Sequence, residues 1–161
     1  MTDMLVKLYA LPALAPALEK PATHGVVVRR VIAPEKHLVL GWVRQHFSDY
    51  WVSECDVAFG RQPSSCFIAV ERDQMLGFAC YDSTARGFFG PTGVNEAARG
   101  KGIGAALLLA ALHDMAAVGY GYAIIGGVGP ADFYEKVAGA TLIPDSTPGV
   151  YRSMLGLPAT E

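Results

Sequence analysis

A glycine-rich stretch in the middle of the chain constrains the fold more than any other feature. Residues 94–104 read Val-Asn-Glu-Ala-Ala-Arg-Gly-Lys-Gly-Ile-Gly and lead directly into an alanine- and leucine-rich run over residues 105–110. This pattern predicts an apolar strand that ends, and a helix that begins, at the loop. Glycines at such a junction let backbone N–H groups approach a ligand, and the helix start adds unpaired donors and the positive end of a dipole. The stretch is therefore predicted to bind an anion, most naturally a phosphorylated molecule.

Two familiar phosphate-binding loops fit this stretch poorly. A Walker loop ends in Gly-Lys-Ser/Thr, whose hydroxyl reaches a magnesium ion, but Lys101 is followed by Gly102 and no Ser or Thr lies between residues 94 and 120. A dinucleotide fingerprint requires Gly-x-Gly-x-x-Gly and an acidic residue about 20 positions later. The glycines here are spaced Gly-x-Gly-x-Gly, and residues 120–124 contain no carboxylate. A binder of NAD-type nucleotides is thus the weaker alternative.

The pattern Arg-x-x-Gly-x-Gly/Ala is satisfied at every position by residues 99–104. This segment resembles the acyl-CoA-binding loop of the GNAT superfamily of N-acetyltransferases. The resemblance implies that backbone N–H groups of the loop hold the CoA pyrophosphate and that the preceding strand end pairs with pantetheine, distorted by a bulge near Pro91. The cofactor-binding residues it implies are Thr92, Gly93, Val94, Arg99, Gly100, Lys101, Gly102, Ile103, Gly104 and Ala105.

A second segment resembles the same family. Residues 132–140 read Asp-Phe-Tyr-Glu-Lys-Val-Ala-Gly-Ala and are similar to the late helix Phe-Tyr-Glu-Lys-x-Gly-Phe. The resemblance implies that Tyr134 is catalytic and protonates the departing CoA thiolate, a role that suits a positioned phenol. Two departures are visible: Gly127 stands where the family often has Asn, and Tyr134 and Gly139 are one residue further apart than usual.

The sequence does not decide which group accepts the proton of the attacking amine. The family often uses a carboxylate on the strand before the glycine loop, but residues 87–94 contain none. Glu54, Asp56 and Asp82 are candidates, with His46 behind them, although a surface or capping role is the stronger interpretation of each. Water is an equal alternative.

Four aromatic residues on the first helices are candidates for the walls of the acceptor site: Trp42, Phe47, Tyr50 and Trp51. Core packing is the stronger interpretation for Trp42 and Phe47. Because Tyr50 and Trp51 are adjacent, they point in different directions on one helix and cannot both face the core.

Composition limits the remaining possibilities. The chain has 161 residues, 52% of them hydrophobic and 17% charged, which is typical of one globular domain with a sizeable core. A net charge of -2 offers no electrostatic basis for binding nucleic acid or an anionic membrane. The three cysteines, Cys55, Cys66 and Cys80, lack metal-ligand spacing and are expected to be reduced and partly buried. No metal is expected, and with no signal peptide or membrane span predicted, the expected location is the cytoplasm.

The order of elements predicts an α/β (α+β) fold. Strand, helices, three strands, helix, strand, helix and two closing strands follow one another, and the closing strands are expected at 141–143 and 150–155. We predict a single-domain GNAT-like fold with a central mixed, mostly antiparallel twisted sheet of six to seven strands, flanked by about four helices. The expected division is an N-terminal extension (1–24), which packs on the domain or on a second subunit, the domain itself (25–157) and a C-terminal tail (158–161).

The resemblance of residues 99–104 and 132–140 to the GNAT superfamily implies an acyl-CoA-dependent N-acetyltransferase with acetyl-CoA as cosubstrate. The expected acceptor is a primary amine of a small molecule, with a protein N-terminus or lysine as the second choice. A catalytically silent CoA-binding regulatory module is the main alternative. The oligomeric state stays open, although residues 1–24 and the final strand offer surfaces for a homodimer.

Overall fold

A computed structural model describes residues 1–157, which form one open sheet with helices on both faces. The strands are β1 (Met4–Lys7), β2 (Val26–Arg30), β3 (Cys66–Glu71), β4 (Gln74–Tyr81), β5 (Phe88–Val94), β6 (Tyr122–Ile125) and β7 (Thr141–Leu142). They lie in the order β2-β3-β4-β5-β6-β1-β7. Every pair is antiparallel except β5 and β6, which are parallel. The predicted mixed, mostly antiparallel sheet is confirmed.

Five helices accompany the sheet, one more than the approximate number predicted. They are α1 (Leu14–Ala22), α2 (Lys36–His46), α3 (Asp49–Phe59), α4 (Ile103–Ala117) and α5 (Ala131–Ala138). Helix α5 begins directly after Pro130 and ends at Gly139, whose φ of 64° is the left-handed conformation that favours glycine at a helix end. Within residues 1–157, no helix has both the length and the apolar character needed to cross a membrane.

Two apolar clusters cover opposite faces of the sheet. Ala79 belongs to the cluster built around α4, whereas its neighbour Phe78 belongs to the cluster built around α2 and α3. Because successive side chains of a strand point to opposite faces, these helices lie on opposite sides of β4. All three cysteines are free and fully buried, whereas the sequence predicted only partial burial.

The middle of β5 is distorted where the sequence placed its proline. The register between β4 and β5 shifts between Ala79 and Tyr81, opposite Gly90 and Pro91. Two β5 residues there face one β4 residue, which is the geometry of a β-bulge. The bulge predicted near Pro91 is therefore present, and it bends β5 just before residues 92–94.

The two ends of the chain differ in part from the expectations. Residues 1–24 contribute β1, which lies inside the sheet between β6 and β7. The predicted strand over 141–143 is the short β7, but the strand predicted over 150–155 is wrong. That segment is a turn of 3-10 helix followed by further turns, and the positive φ values of Gly149 (64°) and Ser153 (63°) bend it away from an extended path. The tail expected at 158–161 lies outside the described residues.

Candidate active site

A cleft opens where β5 and β6 separate. The two strands are paired only through Phe88 with Ile124 and Phe89 with Ile125. Beyond these pairs, residues 90–94 and 125–129 line opposite walls of a cavity of about 1750 Å³. Since helices lie on both faces of the sheet, the cleft is bordered by α4 and α5 on one face and by α3 on the other.

The glycine loop forms one end of this cleft. Gly100 and Gly102 have φ values of 85° and 78°, so both need the left-handed conformation that other residues adopt only with strain. Gly102 is the N-cap of α4, whose first N–H groups have no partner within the helix. Nearly all predicted CoA-binding residues line the cleft: Thr92, Gly93, Val94, Arg99, Gly100, Gly102, Ile103, Gly104 and Ala105. Lys101 is the exception, since it is not among the described residues that line the cleft.

A lysine from the N-terminal helix reaches the same loop. The aliphatic stem of Lys20 passes so close to Gly102 that a Cβ at that glycine would lie 2.8 Å from Lys20 Cδ. Lys20 also lines the cleft, so it adds a cation to the end that already holds Arg99. Sequence reasoning missed Lys20, and no local signal marks it, because α1 and the loop meet only through the fold.

Tyr134 lies on α5, belongs to the first apolar cluster and also lines the cleft. The residue is 7% exposed, and its ring packs edge-on against Phe89 and Phe133, with centroids 6.4 Å and 5.1 Å away. Burial raises the pKa of the Tyr134 phenol, so the phenol is protonated at neutral pH. A protonated phenol facing a cleft can donate a proton or a hydrogen bond to a developing anion.

The structure separates the four candidate proton acceptors. Glu54 lines the cleft, while Asp56 forms a surface ion pair with Lys36 at 2.5 Å. Asp82 holds a loop together, because its carboxylate pairs with Arg61 and accepts hydrogen bonds from the Gly87 N–H and the Tyr120 hydroxyl.

His46 is exposed and stacks on Trp42 on the outside of α2. Of the four candidates, then, Glu54 alone has its side chain on the cleft wall in the described part of the chain.

Glu54 belongs to a small polar cluster on the α3 side. The Thr84 hydroxyl donates a hydrogen bond of 2.5 Å to Glu54 Oε1. The ring of Tyr151 lies over Gly126 and Gly127, at the point where the strands part. Burial, and after it the charge of Glu54, raises the pKa of the Tyr151 phenol. Sequence reasoning missed Tyr151, since it assigned this residue to a closing strand.

The aromatic residues of α2 and α3 divide between core and cleft. Trp42 and Phe47 pack against the second apolar cluster, which confirms the core interpretation for both. Trp51 packs against Phe47, with ring centroids 4.7 Å apart, and also borders the cleft. Tyr50 lies on the cleft wall and is 48% exposed. No group of three or more His, Cys, Asp and Glu side chains within residues 1–157 is arranged to hold a metal ion.

The open mixed sheet, whose strands β5 and β6 part beside a glycine loop, is the fold of an acyl-CoA-dependent acetyltransferase. The model of the acetyltransferase (GNAT) family matches residues 33–140, which is more than half of the chain. The chain therefore belongs to the GNAT acetyltransferase family, whose members use acetyl-CoA as cosubstrate. Among curated protein sequences, none matches the chain significantly.

Solved structures show the same fold at low sequence identity. A GCN5-related glucosamine N-acetyltransferase region of a fungal multi-domain GH3 β-N-acetylglucosaminidase superposes with a TM-score of 0.72 at 14% identity, over 88% of this chain and 19% of that one. A GCN5-related N-acetyltransferase from Sphaerobacter thermophilus gives a TM-score of 0.67 at 22% identity, over 88% of this chain and 48% of that one. This chain thus spans less than half the length of either.

Proposed function

We propose that the protein transfers the acetyl group of acetyl-CoA directly to a primary amine of a small molecule or peptide. The observation that carries this proposal is a single cleft lined by the glycine loop, by the distorted end of β5 and by Tyr134. One ligand that extends along this cleft can contact phosphate-binding N–H groups at one end and a phenol at the other.

The donor binds along β5 in this proposal. Past Phe89, β5 is no longer paired with β6, so its backbone groups on that side are free to pair with an amide-bearing chain such as pantetheine. Residues 92–94 supply that edge. The pyrophosphate then accepts hydrogen bonds from the loop N–H groups before α4, and Arg99 and Lys20 add positive charge. Lys101 is close in sequence and adds charge from outside the wall.

The chemical step needs two proton transfers. The amine nitrogen attacks the thioester carbonyl carbon, the C–S bond of the tetrahedral intermediate breaks, and the sulfur leaves with the electron pair. Tyr134 donates its phenolic proton to this thiolate, and the raised pKa of Tyr134 keeps that proton available at neutral pH. The attacking amine nitrogen becomes positively charged in the tetrahedral intermediate and loses one proton to Glu54, directly or through water, because Glu54 is the acidic residue on the cleft wall of the described chain.

Amine-dependent release of free thiol from acetyl-CoA tests this function. The purified protein is incubated with acetyl-CoA and, in separate reactions, with each of several small amines or with a peptide that has a free N-terminal amine. Free thiol and the acetylated product are measured. Acetylation of any member supports transfer, and a preference for the peptide would support the protein acceptor instead. Tight acetyl-CoA binding without release would indicate a silent CoA-binding module. Calorimetric binding of NADH with none of acetyl-CoA would refute the assignment.

The acceptor of the fungal relative does not carry over. That region is described as a glucosamine N-acetyltransferase, but 14% identity supports only a shared fold. The acceptor of the present chain must be inferred from its own cleft walls.

A further inference from the structure

Charge is distributed unevenly along the cleft. Within residues 1–157, four charged side chains line it: the cations Lys20, Arg99 and Lys136 and the carboxylate Glu54. Lys20 and Arg99 border the glycine loop. Lys136 is three residues after Phe133, whose ring lies near Gly104 of α4, and residues three apart share a helix face. The three cations therefore lie on the side of the cleft formed by the glycine loop, α4 and α5, where acetyl-CoA is proposed to bind. The carboxylate of Glu54 lies on the α3 side.

Glu54 is a carboxylate without a cation. It is partly buried, and its recorded partner is the Thr84 hydroxyl at 2.5 Å. No Lys or Arg side chain within the described residues forms an ion pair with it, although Asp49, Asp56, Asp82 and Asp114 each have one. A partly buried charge is normally paired, because burial without compensation is costly. A ligand cation would supply the missing partner.

A further polar group beside Glu54 also lacks a partner. The hydroxyl oxygen of Ser83 is buried and makes no hydrogen bond within residues 1–157, and Ser83 lines the same cleft. Buried hydroxyls are usually satisfied by protein, water or ligand. Thr84 and Tyr151 thus place hydroxyl groups beside Glu54, and this polar group suits a small ammonium.

The walls beyond this polar cluster are apolar and aromatic. One wall comes from α3 through Tyr50, Trp51 and Val57. The facing wall comes from the segment after β7 through Val150 and Met154, which also line the cleft. The Tyr50 hydroxyl donates a hydrogen bond of 3.2 Å to the Leu155 carbonyl, so the two walls are tied together at their rim. This part of the cleft thus combines one carboxylate with apolar and aromatic walls.

We propose that the acceptor is a monocationic primary amine bearing a flat apolar group, with its ammonium against Glu54 and its apolar group between α3 and residues 150–154. This inference rests on the proposed acetyltransferase function. A second charge or a polyhydroxylated ring on the acceptor would face apolar walls and lose hydration without compensation. A flat apolar group instead removes the surfaces of Trp51 and Met154 from water.

The test compares amines that differ in the group carried by the same primary amine. Phenethylamine is the flat apolar acceptor, ethanolamine is the polar one, and putrescine carries a second charge. Initial rates of thiol release at saturating acetyl-CoA give kcat/KM for each amine. We expect kcat/KM for phenethylamine to exceed kcat/KM for ethanolamine by about 10- to 100-fold, the gain typical of burying one aromatic side group.

Two variants separate the ammonium contact from the apolar walls. Glu54→Gln should lower kcat/KM for phenethylamine at least about tenfold and leave the KM for acetyl-CoA unchanged. Its matched control is Asp56→Asn on the same helix, which faces Lys36 on the surface and should change neither value. Met154→Ser should narrow the preference for phenethylamine over ethanolamine, a ratio that a loss of folded protein would not move.

Each outcome bears on the inference. A preference for ethanolamine or putrescine, or equal rates for Glu54→Gln and the unmodified protein, overturns the acceptor class while the transferase function stands. Absence of amine-dependent thiol release with every amine overturns the proposed function, and the acceptor class falls with it.

Discussion

The ring of Phe47 lies directly against the backbone of Gly93, so that a Cβ at position 93 would overlap the ring. Gly93 lines the cleft near the end of β5, and Phe47 follows the last residue of α2. The Phe47 ring therefore packs on the face of β5, at the strand whose unpaired edge is proposed to pair with pantetheine. Glycine is required at position 93 for close approach of the ring.

Gly93→Ala should destabilise the protein and weaken acetyl-CoA binding. The added methyl must displace Phe47 or the strand, and overpacking of this kind typically costs about 1–3 kcal/mol. Denaturant unfolding and the KM for acetyl-CoA report the two effects. The double variant with Phe47→Leu should recover part of the stability, because the smaller side chain leaves room. Additive losses in the double variant would contradict the contact.

Tyr134→Phe should lower kcat while it preserves the fold and donor binding. The variant keeps the ring that packs against Phe89 but lacks the proton for the thiolate. Loss of a general acid typically lowers turnover on the order of 100-fold. Steady-state rates of thiol release measure kcat, and calorimetry measures acetyl-CoA affinity. Tyr120→Phe is the control, since that hydroxyl binds Asp82 away from the cleft wall. Unchanged turnover would remove Tyr134 from the chemistry.

Lys20→Ala should raise the KM for acetyl-CoA by up to about fivefold, the size of a partly solvated charge contact. The effect should shrink as salt is added, because ions screen such a contact. Titration of acetyl-CoA at two ionic strengths gives the measurement. Lys7→Ala, an exposed lysine of β1, serves as the control. Equal affinities for both variants would exclude Lys20 from the phosphate site.

Gly102→Ala should impair the loop through its backbone. Its φ of 78° costs a residue with a Cβ about 1–2 kcal/mol, so the loop should relax and misplace its N–H groups. We expect lower thermal stability and weaker acetyl-CoA binding. Gly41→Ala, in the exposed part of α2 with open space around it, should leave binding unchanged and stabilise slightly. Normal acetyl-CoA affinity in Gly102→Ala would argue against the loop as the pyrophosphate site.

The acid and alkaline limits of stability should depend on Asp114. Burial opposes its ionisation, but hydrogen bonds from Arg30 and Tyr81 outweigh burial and hold the pKa of Asp114 below its usual value. Its contribution is therefore present above about pH 4 and is lost as the pH falls through the lowered pKa. Burial and the hydrogen bond to Asp114 raise the pKa of Tyr81 to about 12. That contribution is complete below about pH 10 and is lost as the pH rises towards 12.

Asp114→Asn should lower the free energy of unfolding by about 2 kcal/mol at neutral pH. It should also weaken the pH dependence of that free energy below about pH 4. Urea unfolding at a series of pH values provides the measurement. Asp56→Asn, which removes a surface ion pair, should cost less than about 1 kcal/mol. Equal losses of unfolding free energy in both variants would show that the hydrogen bonds of Asp114 with Arg30 and Tyr81 stabilise the fold no more than a surface ion pair does.

Local features of the sequence predicted the position of the glycine loop and of the helix that carries Tyr134. The glycines at 100 and 102 are needed for positive φ, and α4 begins at Ile103 just after them, at the loop where the sequence predicted a helix start. Pro130 and Gly139 bracket the helix that carries Tyr134. Backbone conformation and helix ends are set by neighbouring residues, so they can be predicted from a single segment.

The residues of the proposed acceptor side could be identified only from the tertiary structure. The sequence offered Glu54, Asp56 and Asp82 as equals, and only packing shows that two of them are bound elsewhere. The strand predicted over 150–155 was wrong, because β7 stops after two residues and the following turns carry Tyr151 over the strand split. Alternating apolar residues indicate a strand. They do not reveal that the ring of Tyr151 packs over Gly126 and Gly127 beside the cleft.

The sequence by itself determined where the glycine loop and the helix that carries Tyr134 lie, and hence the family. The tertiary structure alone decided which carboxylate lines the cleft, that Lys20 reaches the loop and that β1 enters the sheet. The physical reason is range: a glycine conformation or a helix end depends on residues a few positions away. Contacts such as Lys20 with Gly102 or Tyr151 with Gly126 join distant segments, and they exist only once the sheet has brought those segments together.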